Sequence, residues 1–213
     1  MMPNDPVVHV IDDDEAIRES LAFLLESAEL NVRTYESANA FLETLSRDAH
    51  GCVVTDIRMP GVSGIELLRQ LKTVSVALPV IVITGHADVP LAVEAMKSGA
   101  VDFIEKPFDD DAFLSAIRSA LRRHEKDARR EAERSEIHVR LAALSGRERQ
   151  VLEGLVAGYP NKTIAFDLGI SARTVEIYRA NVMTKMQANS LSDLVRMALV
   201  AGVLGPGAAP PQL

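Results

Sequence analysis

The most informative segment of the chain is Val53-Val54-Thr55-Asp56-Ile57-Arg58-Met59-Pro60-Gly61. Its first residues are apolar and β-branched, which predicts a buried strand, and Pro60-Gly61 predicts the loop that ends this strand. Asp56 therefore falls where a strand leaves the core. A carboxylate at that position is solvated, caps the next helix, or is met there by cationic or hydrogen-bonding groups. Residues elsewhere in the chain must decide between these interpretations.

Bulk composition is that of an ordinary globular protein. The chain has 213 residues, 47% of them hydrophobic and 25% charged, which suits one large domain or two modest ones. Its single cysteine, Cys52, excludes an internal disulfide bond. The sequence shows no signal peptide and no apolar run of about 20 residues, so we expect a cytoplasmic protein with no membrane partner.

Charge divides unevenly along the chain. Residues 1–124 carry 20 acidic and 11 basic side chains, whereas residues 144–213 carry 5 and 7. An acidic first part and a mildly basic second part indicate different partners for the two. The small positive balance of the second part is weak evidence for nucleic acid on its own.

Apolar runs of strand length alternate with amphipathic helical segments in the first part of the chain. Such alternation predicts a parallel sheet covered by helices on both faces. The second run alternates polar and apolar residues, which fits an edge strand, whereas the other four are nearly all apolar, which predicts burial on both faces. We therefore predict an α/β fold with a doubly wound, five-stranded parallel sheet in the flavodoxin-like order 2-1-3-4-5. The predicted strands are Val7–Ile11, Asn31–Tyr35, Cys52–Thr55, Val80–Thr84 and Val101–Glu105.

This fold places ligands at the carboxyl ends of its strands. Asp12-Asp13-Asp14 follow the first strand, Asp56 the third, Thr84 ends the fourth and Lys106 follows the fifth. Clustered carboxylates repel one another unless a cation binds, and their hard oxygen atoms suit Mg²⁺. Asp56 could then accept a phosphoryl group as a nucleophile, with Lys106 and Thr84 meeting the phosphoryl oxygens.

Each of these residues also has an ordinary structural interpretation. One of the three aspartates caps the following helix, and Asp14 is our choice. Lys106 could be a surface lysine and Thr84 a plain strand residue. Their coincidence at one sheet edge favours the chemical interpretation. The sequence has no Walker glycine loop, no Rossmann glycine fingerprint and no Ser/His/Asp order, so nucleotide binding and acyl transfer lack support.

Four segments of the first part resemble the receiver domain of two-component response regulators. All signature positions are filled, and the resemblance covers about residues 6–123. It implies that a sensor histidine kinase phosphorylates Asp56, and that Thr84 turns toward the phosphate. The segments are Val10-Ile11-Asp12-Asp13-Asp14, Asp56-Ile57-Arg58-Met59-Pro60-Gly61, Ile83-Thr84-Gly85 and Phe103-Ile104-Glu105-Lys106-Pro107-Phe108.

The same resemblance implies a metal site and a switch residue. Mg²⁺ would be held by Asp13, Asp56 and the main-chain carbonyl of Arg58, with Asp12 acting through water. Phe103 would rotate inward on phosphorylation; the alternative is a ring that is permanently part of the core. Dimerisation through the fourth helix and fifth strand is also implied, with Val93 and Lys97 as contact candidates.

The residue pattern of the second part of the chain predicts a small all-α helix-turn-helix domain. Ser145 and Glu148 form the sequence pattern of a capping box that opens a helix. A short helix from about Asn161, a turn containing Gly169 and a longer helix over Ala172–Met186 give the helix-turn-helix pattern, and a last helix covers Leu191–Ala201. We predict a receiver at residues 1–123, a helical or flexible linker at 124–142, the helical domain at 143–204 and a disordered tail at 205–213. His124 and His138 in the linker are predicted to be solvated.

The longer helix has two distinct faces. Val175, Val182 and Met186 share one face and should pack inward. Side chains on or beside the opposite face could read base edges, and flanking cations could contact phosphates; the alternative is an ordinary helical bundle with a solvated face. The DNA-contact candidates are Lys162, Arg173, Thr174, Glu176, Ile177, Arg179, Ala180 and Lys185.

Three motifs of this part resemble the LuxR/NarL-type DNA-binding domain. They begin at Leu144, Asn161 and Ser171, and Tyr178 departs from the histidine expected in that family. With the receiver in front, the whole chain is similar to FixJ-type transcriptional regulators. The resemblance implies a phosphorylation-activated regulator that is not an enzyme, binds double-stranded promoter DNA as a homodimer, and has RNA polymerase as a further candidate partner.

Two alternatives from other functional classes remain. One is a Mg²⁺-dependent phosphatase that uses Asp56 as its nucleophile. The other is a constitutive DNA-binding protein whose acidic sheet edge has no role. Multiple turnover of external phosphoesters would favour the first, and failure of Asp56 to accept a phosphoryl group would favour the second.

Overall fold

The structure is a computed structural model that describes residues 5–46, 49–74, 78–86 and 89–203. The predicted tail at 205–213 lies outside these residues. The chain divides into two compact units, Met1–Asp127 and Ala128–Leu213. None of the described helices combines the length and apolar character that a membrane crossing requires.

The first unit contains five parallel strands in the order β2-β1-β3-β4-β5, which confirms the predicted topology. Two strands differ from their predicted bounds: β3 is one residue longer at each end, since it includes Gly51 and Asp56, and β5 begins one residue later, at Asp102. The strands are β1 (Val7–Ile11), β2 (Asn31–Tyr35), β3 (Gly51–Asp56), β4 (Val80–Thr84) and β5 (Asp102–Glu105).

Nine helices are present among the described residues. The first four and the beginning of the fifth belong to the first unit, and α5 continues into the second unit. They are α1 (Glu15–Ser27), α2 (Ala38–Thr44), α3 (Gly64–Thr73), α4 (Val89–Ser98), α5 (Asp110–Ala142), α6 (Gly146–Val156), α7 (Asn161–Leu168), α8 (Ala172–Met186) and α9 (Leu191–Val200).

The sheet has an apolar cluster on each face because successive strand side chains point to opposite sides. On β3, Val53 belongs to the cluster that includes residues of α2, α3 and α4. Its neighbours Cys52 and Val54 belong to the cluster that includes residues of α1 and α5. Burial on both faces explains why β3 and β4 read as continuous apolar runs.

Two burial predictions for this unit are wrong. The fifth strand was expected to be buried on both faces, but β5 is an edge strand whose residues are exposed or half-buried. The sequence spacing of Leu91, Ala95 and Met96 predicts a shared apolar face on the fourth helix, but Met96 is 50% exposed. Ala95 and Ser98 form the buried side of α4, and Met96 is rotated away from that side by the helical period.

The second unit has its own core, to which α6 contributes Val151, Leu152, Leu155 and Val156. Gly169 adopts the left-handed conformation (φ +63°) that ends α7, and Ser171 then caps α8. This turn confirms the helix-turn-helix pattern. The core also includes Ile137 and Leu141 from the end of α5, so part of the predicted linker packs as a helix in this unit.

Candidate phosphoacceptor site and DNA-binding surface

Three charged side chains meet at the carboxyl edge of the sheet. The Nζ atom of Lys106 donates to Asp12 Oδ2 at 2.7 Å and to Asp56 Oδ1 at 3.0 Å. Asp12 and Lys106 come directly after β1 and β5, and Asp56 is the last residue of β3, so the topology places all three at the same edge of the sheet. A single ammonium thus lies between two carboxylates and offsets part of their mutual repulsion.

Burial strengthens this arrangement. Only 2% of the Asp12 side chain, 12% of Asp56 and 18% of Lys106 is exposed. Burial by itself lowers the pKa of Lys106, but hydrogen bonds and Coulomb attraction to Asp12 and Asp56 outweigh it and leave that pKa above its usual value. Lys106 is therefore a firmly held ammonium ion.

The acidic turn after β1 is held by its own backbone. Asp14 caps α1, as predicted, because its Oδ1 accepts from the Ala16 N–H at 2.9 Å. The Asp14 N–H donates in turn to Asp12 Oδ1 at 3.0 Å. Asp13 is exposed between these two residues. Asp12 thus engages Lys106 with one oxygen and the turn with the other.

The loop after β3 holds Asp56 in a similar way. The Arg58 N–H donates to Asp56 Oδ2 at 2.6 Å, which places the Arg58 peptide beside the carboxylate. Sequence reasoning missed Gly64, the first residue of α3: a Cβ atom there would lie 2.3 Å from the Asp56 carbonyl oxygen. The signal was available, because a glycine that begins a helix after a loop often marks a close backbone approach.

Thr84 ends β4, whereas Phe103 lies on the neighbouring β5 and pairs with Val82, and the two side chains are held differently. The buried Thr84 hydroxyl exchanges hydrogen bonds with the backbone of His86, at 3.3 Å to both the N–H and the carbonyl oxygen. It is therefore engaged with its own loop. Phe103 is half-buried and packs against the cluster on the α3 and α4 face. Val93 and Lys97 are exposed on α4.

The donor set at this edge suits a hard divalent cation. Within the part of the chain that the structure describes, no three His, Cys, Asp or Glu side chains are grouped closely enough to hold a metal ion. Mg²⁺, however, usually keeps several waters and takes only one or two carboxylates from the protein. Asp56, the exposed Asp13 and the neighbouring Arg58 peptide fit that requirement.

In the second unit, α8 presents the two faces that the sequence predicts. Val175, Val182 and Met186 are fully buried, whereas Arg173 and Ile177 are exposed, Ile177 to 57%. Glu176, Ala180 and, on α7, Lys162 are also exposed, and Thr174 and Arg179 are half-buried. The outer face of α8 therefore has no partner within the described core.

Lys185 has a different environment from the other candidate cations. Its Nζ donates to Glu148 Oε2 at 2.7 Å and to the Ala143 carbonyl at 3.3 Å. Glu148 is 4% exposed and completes the predicted capping box with Ser145. The Lys185 ammonium, followed by the Ser145 N–H, holds the pKa of Glu148 below its usual value. Lys185 thus serves the packing of α8 against the start of α6, which competes with a role as a phosphate contact.

Sequence reasoning also missed the contacts of α5 within this unit. Arg140 donates to the Met186 carbonyl at 3.1 Å, at the end of α8, and Arg196 on α9 pairs with Glu133. The apolar pair Ile137 and Leu141, four residues apart, was the available signal.

Of the two linker histidines, His138 is exposed as predicted, but His124 is half-buried with its ring centroid 6.4 Å from that of His50. The prediction that His124 is solvated is therefore wrong.

Two family models match the chain. Residues 8–118 match the response regulator receiver domain, and residues 142–198 match the bacterial regulatory proteins of the luxR family. Across 202 residues the chain is 63% identical to the transcriptional regulatory protein FixJ of Azorhizobium caulinodans, covering 95% of this chain and 96% of that protein.

Solved structures show the same similarity. The response regulator StyR aligns with a TM-score of 0.83 at 42% identity, over 92% of this chain and 99% of that one. Full-length FixJ from B. japonicum aligns with a TM-score of 0.58 at 57% identity, over 93% of this chain and 98% of that one. The matched relatives are thus regulators of nearly the same length.

Proposed function

Because the chain belongs to the response regulators that join a receiver domain to a LuxR-family DNA-binding domain, a family of transcriptional regulators and not of enzymes, we propose that phosphorylation of Asp56 activates its binding to promoter DNA. The observation that carries this proposal is the Lys106 ammonium held between Asp12 and Asp56. It provides a nucleophilic carboxylate beside a fixed positive charge.

The phosphoryl donor is the phosphohistidine of a sensor histidine kinase. An oxygen atom of Asp56 attacks the phosphorus, and the new P–O bond forms as the P–N bond to the imidazole breaks. Asp13, Asp56 and the Arg58 main-chain carbonyl would hold Mg²⁺, with Asp12 acting through water. Bound there, the ion supplies positive charge that reduces the repulsion between the carboxylate and the incoming phosphoryl group.

Phosphorylation then changes the partners of two residues. Lys106 moves one hydrogen bond from a carboxylate oxygen to a phosphoryl oxygen, which carries more negative charge. Thr84 leaves the His86 backbone and donates its hydroxyl to the phosphate. Its movement vacates space toward which Phe103 rotates. This pair of rearrangements is the switch that distinguishes the two states.

The activated receiver forms a homodimer through the exposed side of α4. Val89, Val93 and Met96 are 77%, 44% and 50% exposed and recur at helical spacing, so they form an apolar stripe with Lys97 beside it. A second copy would cover this stripe. Dimerisation brings two helix-turn-helix units to two half-sites, so we expect a near-palindromic operator.

On DNA, the outer face of α8 enters the major groove. Arg173, Glu176, Ile177 and Ala180 would meet base edges, while Thr174, Lys162 and Arg179 would contact phosphates. Lys185 would first have to leave Glu148, so we expect it to stay in that ion pair and not to contact phosphate. The bound regulator would act in the cytoplasm, with RNA polymerase as a further partner.

We also propose functional boundaries for the two parts. The receiver spans residues 1–123 and the linker begins near residue 124. The DNA-binding unit extends forward to include the end of α5, because Ile137 and Leu141 belong to its core. Its helices end within the predicted range 143–204.

A direct experiment tests the switch. The full chain is incubated with acetyl phosphate and Mg²⁺, and intact mass is measured for the wild type and for Asp56→Asn. We expect one added phosphoryl group in the wild type only. Selection of DNA by phosphorylated and unphosphorylated protein should then enrich a near-palindrome in the first sample. Equal labelling of both proteins, or DNA binding that ignores phosphorylation, contradicts the proposal.

A further inference from the structure

Arg18 makes a contact that none of the roles above uses. It lies in the first turns of α1, is half-buried, and directs one nitrogen, Nη1, at two successive backbone carbonyls. The distances are 2.8 Å to the Asp12 oxygen and 3.0 Å to the Asp13 oxygen. These carbonyls belong to the turn that carries the two aspartates of the acidic edge.

The bridging guanidinium is a second constraint on this turn, in addition to the Asp14 cap. The Asp14 side chain anchors one end of the turn to the first amides of α1. Arg18 anchors the Asp12 and Asp13 peptides, and through them the direction in which both side chains leave the backbone. Charge-assisted hydrogen bonds of this kind are stronger than neutral ones.

We propose that Arg18 is a positioning residue for the divalent-cation site, an inference that rests on the Mg²⁺ role assigned to Asp13 and Asp56 above. Mg²⁺ demands near-ideal octahedral geometry and tolerates little movement of its ligands. Removing a residue that orients metal ligands typically weakens metal binding about 10-fold to 100-fold. A turn released from Arg18 should therefore bind Mg²⁺ more weakly.

A simple electrostatic role predicts the opposite sign. The positive charge of Arg18 repels a cation, so a variant that only lost this charge would bind Mg²⁺ more tightly. Because Arg18 is partly solvated, that gain should not exceed about fivefold. The direction of the change in affinity thus separates positioning from charge.

The experiment uses the full chain in four forms: wild type, Arg18→Met, Arg18→Lys and Arg118→Met. Arg118→Met is the matched control because it removes an equal charge from an exposed position on α5. Mg²⁺ affinity is measured by calorimetry. Amide hydrogen exchange of residues 12–14 is measured without Mg²⁺, so that the turn is observed independently of the ion.

We expect Arg18→Met to weaken Mg²⁺ binding about 10-fold and to speed amide exchange in the turn, while the control matches the wild type. Arg18→Lys keeps the charge but has no rigid planar head, so its Mg²⁺ affinity should lie between those of the wild type and Arg18→Met. Unchanged or tighter binding by Arg18→Met overturns the inference. Asp13→Asn tests the metal site itself. The proposed metal role is refuted if the wild type binds no Mg²⁺, or if Asp13→Asn binds Mg²⁺ as tightly as the wild type. If only the Arg18 prediction fails, the proposed metal role stands.

Discussion

Acid should destabilise the receiver through His9, a histidine on β1 that pairs with Val53, three residues before the phosphoacceptor on β3. His9 is 7% exposed, its Nδ1 is 3.1 Å from the Tyr35 hydroxyl, and its ring contacts the rings of Tyr35 and Phe41. Burial, and next the positive charge of Arg33, lower the pKa of His9 from 6.5 to about 4. The folded receiver therefore keeps this imidazole neutral at pH values where an unfolded chain protonates it.

The sign and size of the effect follow from linkage. A histidine with a lowered folded pKa contributes stability above its unfolded pKa and loses it as pH falls toward the folded value. With values of 6.5 and about 4, the free energy of unfolding should drop by about 2 kcal/mol between about pH 7 and about pH 5. His9→Phe retains an aromatic ring that can stack on Phe41 but cannot titrate, so this loss should disappear.

Urea unfolding of the full chain, followed by circular dichroism at several pH values, measures the difference. Both proteins carry the same second unit and the same carboxylates, so the wild-type minus variant curve isolates His9. His138→Gln is the matched control, because it removes a histidine that is exposed. Parallel pH profiles for the wild type and His9→Phe would falsify the reasoning, since they would mean that His9 is protonated equally in both states.

Three further substitutions test the site and its supports. Lys106→Met leaves Asp12 and Asp56 buried without a cation, so the free energy of unfolding of the receiver in urea should fall by about 3 kcal/mol and recover partly in Mg²⁺. Equal stability of the variant and the wild type without Mg²⁺ would contradict a stabilising ion pair between Lys106 and the two aspartates. Lys185→Ala should lower the melting temperature of the second unit yet leave the salt dependence of DNA binding unchanged, whereas a shallower salt slope would mean that Lys185 contacts phosphate. Gly64→Ala should slow phosphorylation by acetyl phosphate, because its Cβ atom would lie 2.3 Å from the Asp56 carbonyl oxygen, and an unchanged rate would show that the loop adjusts freely.

Local signals explain why much of the fold could be predicted. The βα alternation, the Asp14 cap, the capping box at Ser145 and the inner face of α8 all depend on residues within a few positions of one another. Periodicity and cap chemistry encode such features directly. The exposure of β5 was mispredicted because an apolar run has the same composition at the edge and in the centre of a sheet.

Residue patterns along the chain therefore specify the elements and the sheet edge at which the acidic residues and Lys106 gather. Which atoms meet at that edge depends on the tertiary structure. Lys106 lies 94 residues from Asp12, and Lys185 lies 37 residues from the carboxylate that engages it. The physical reason is that hydrogen bonds and ion pairs act over a few ångströms, so their partners are selected by how the elements pack and not by spacing along the chain.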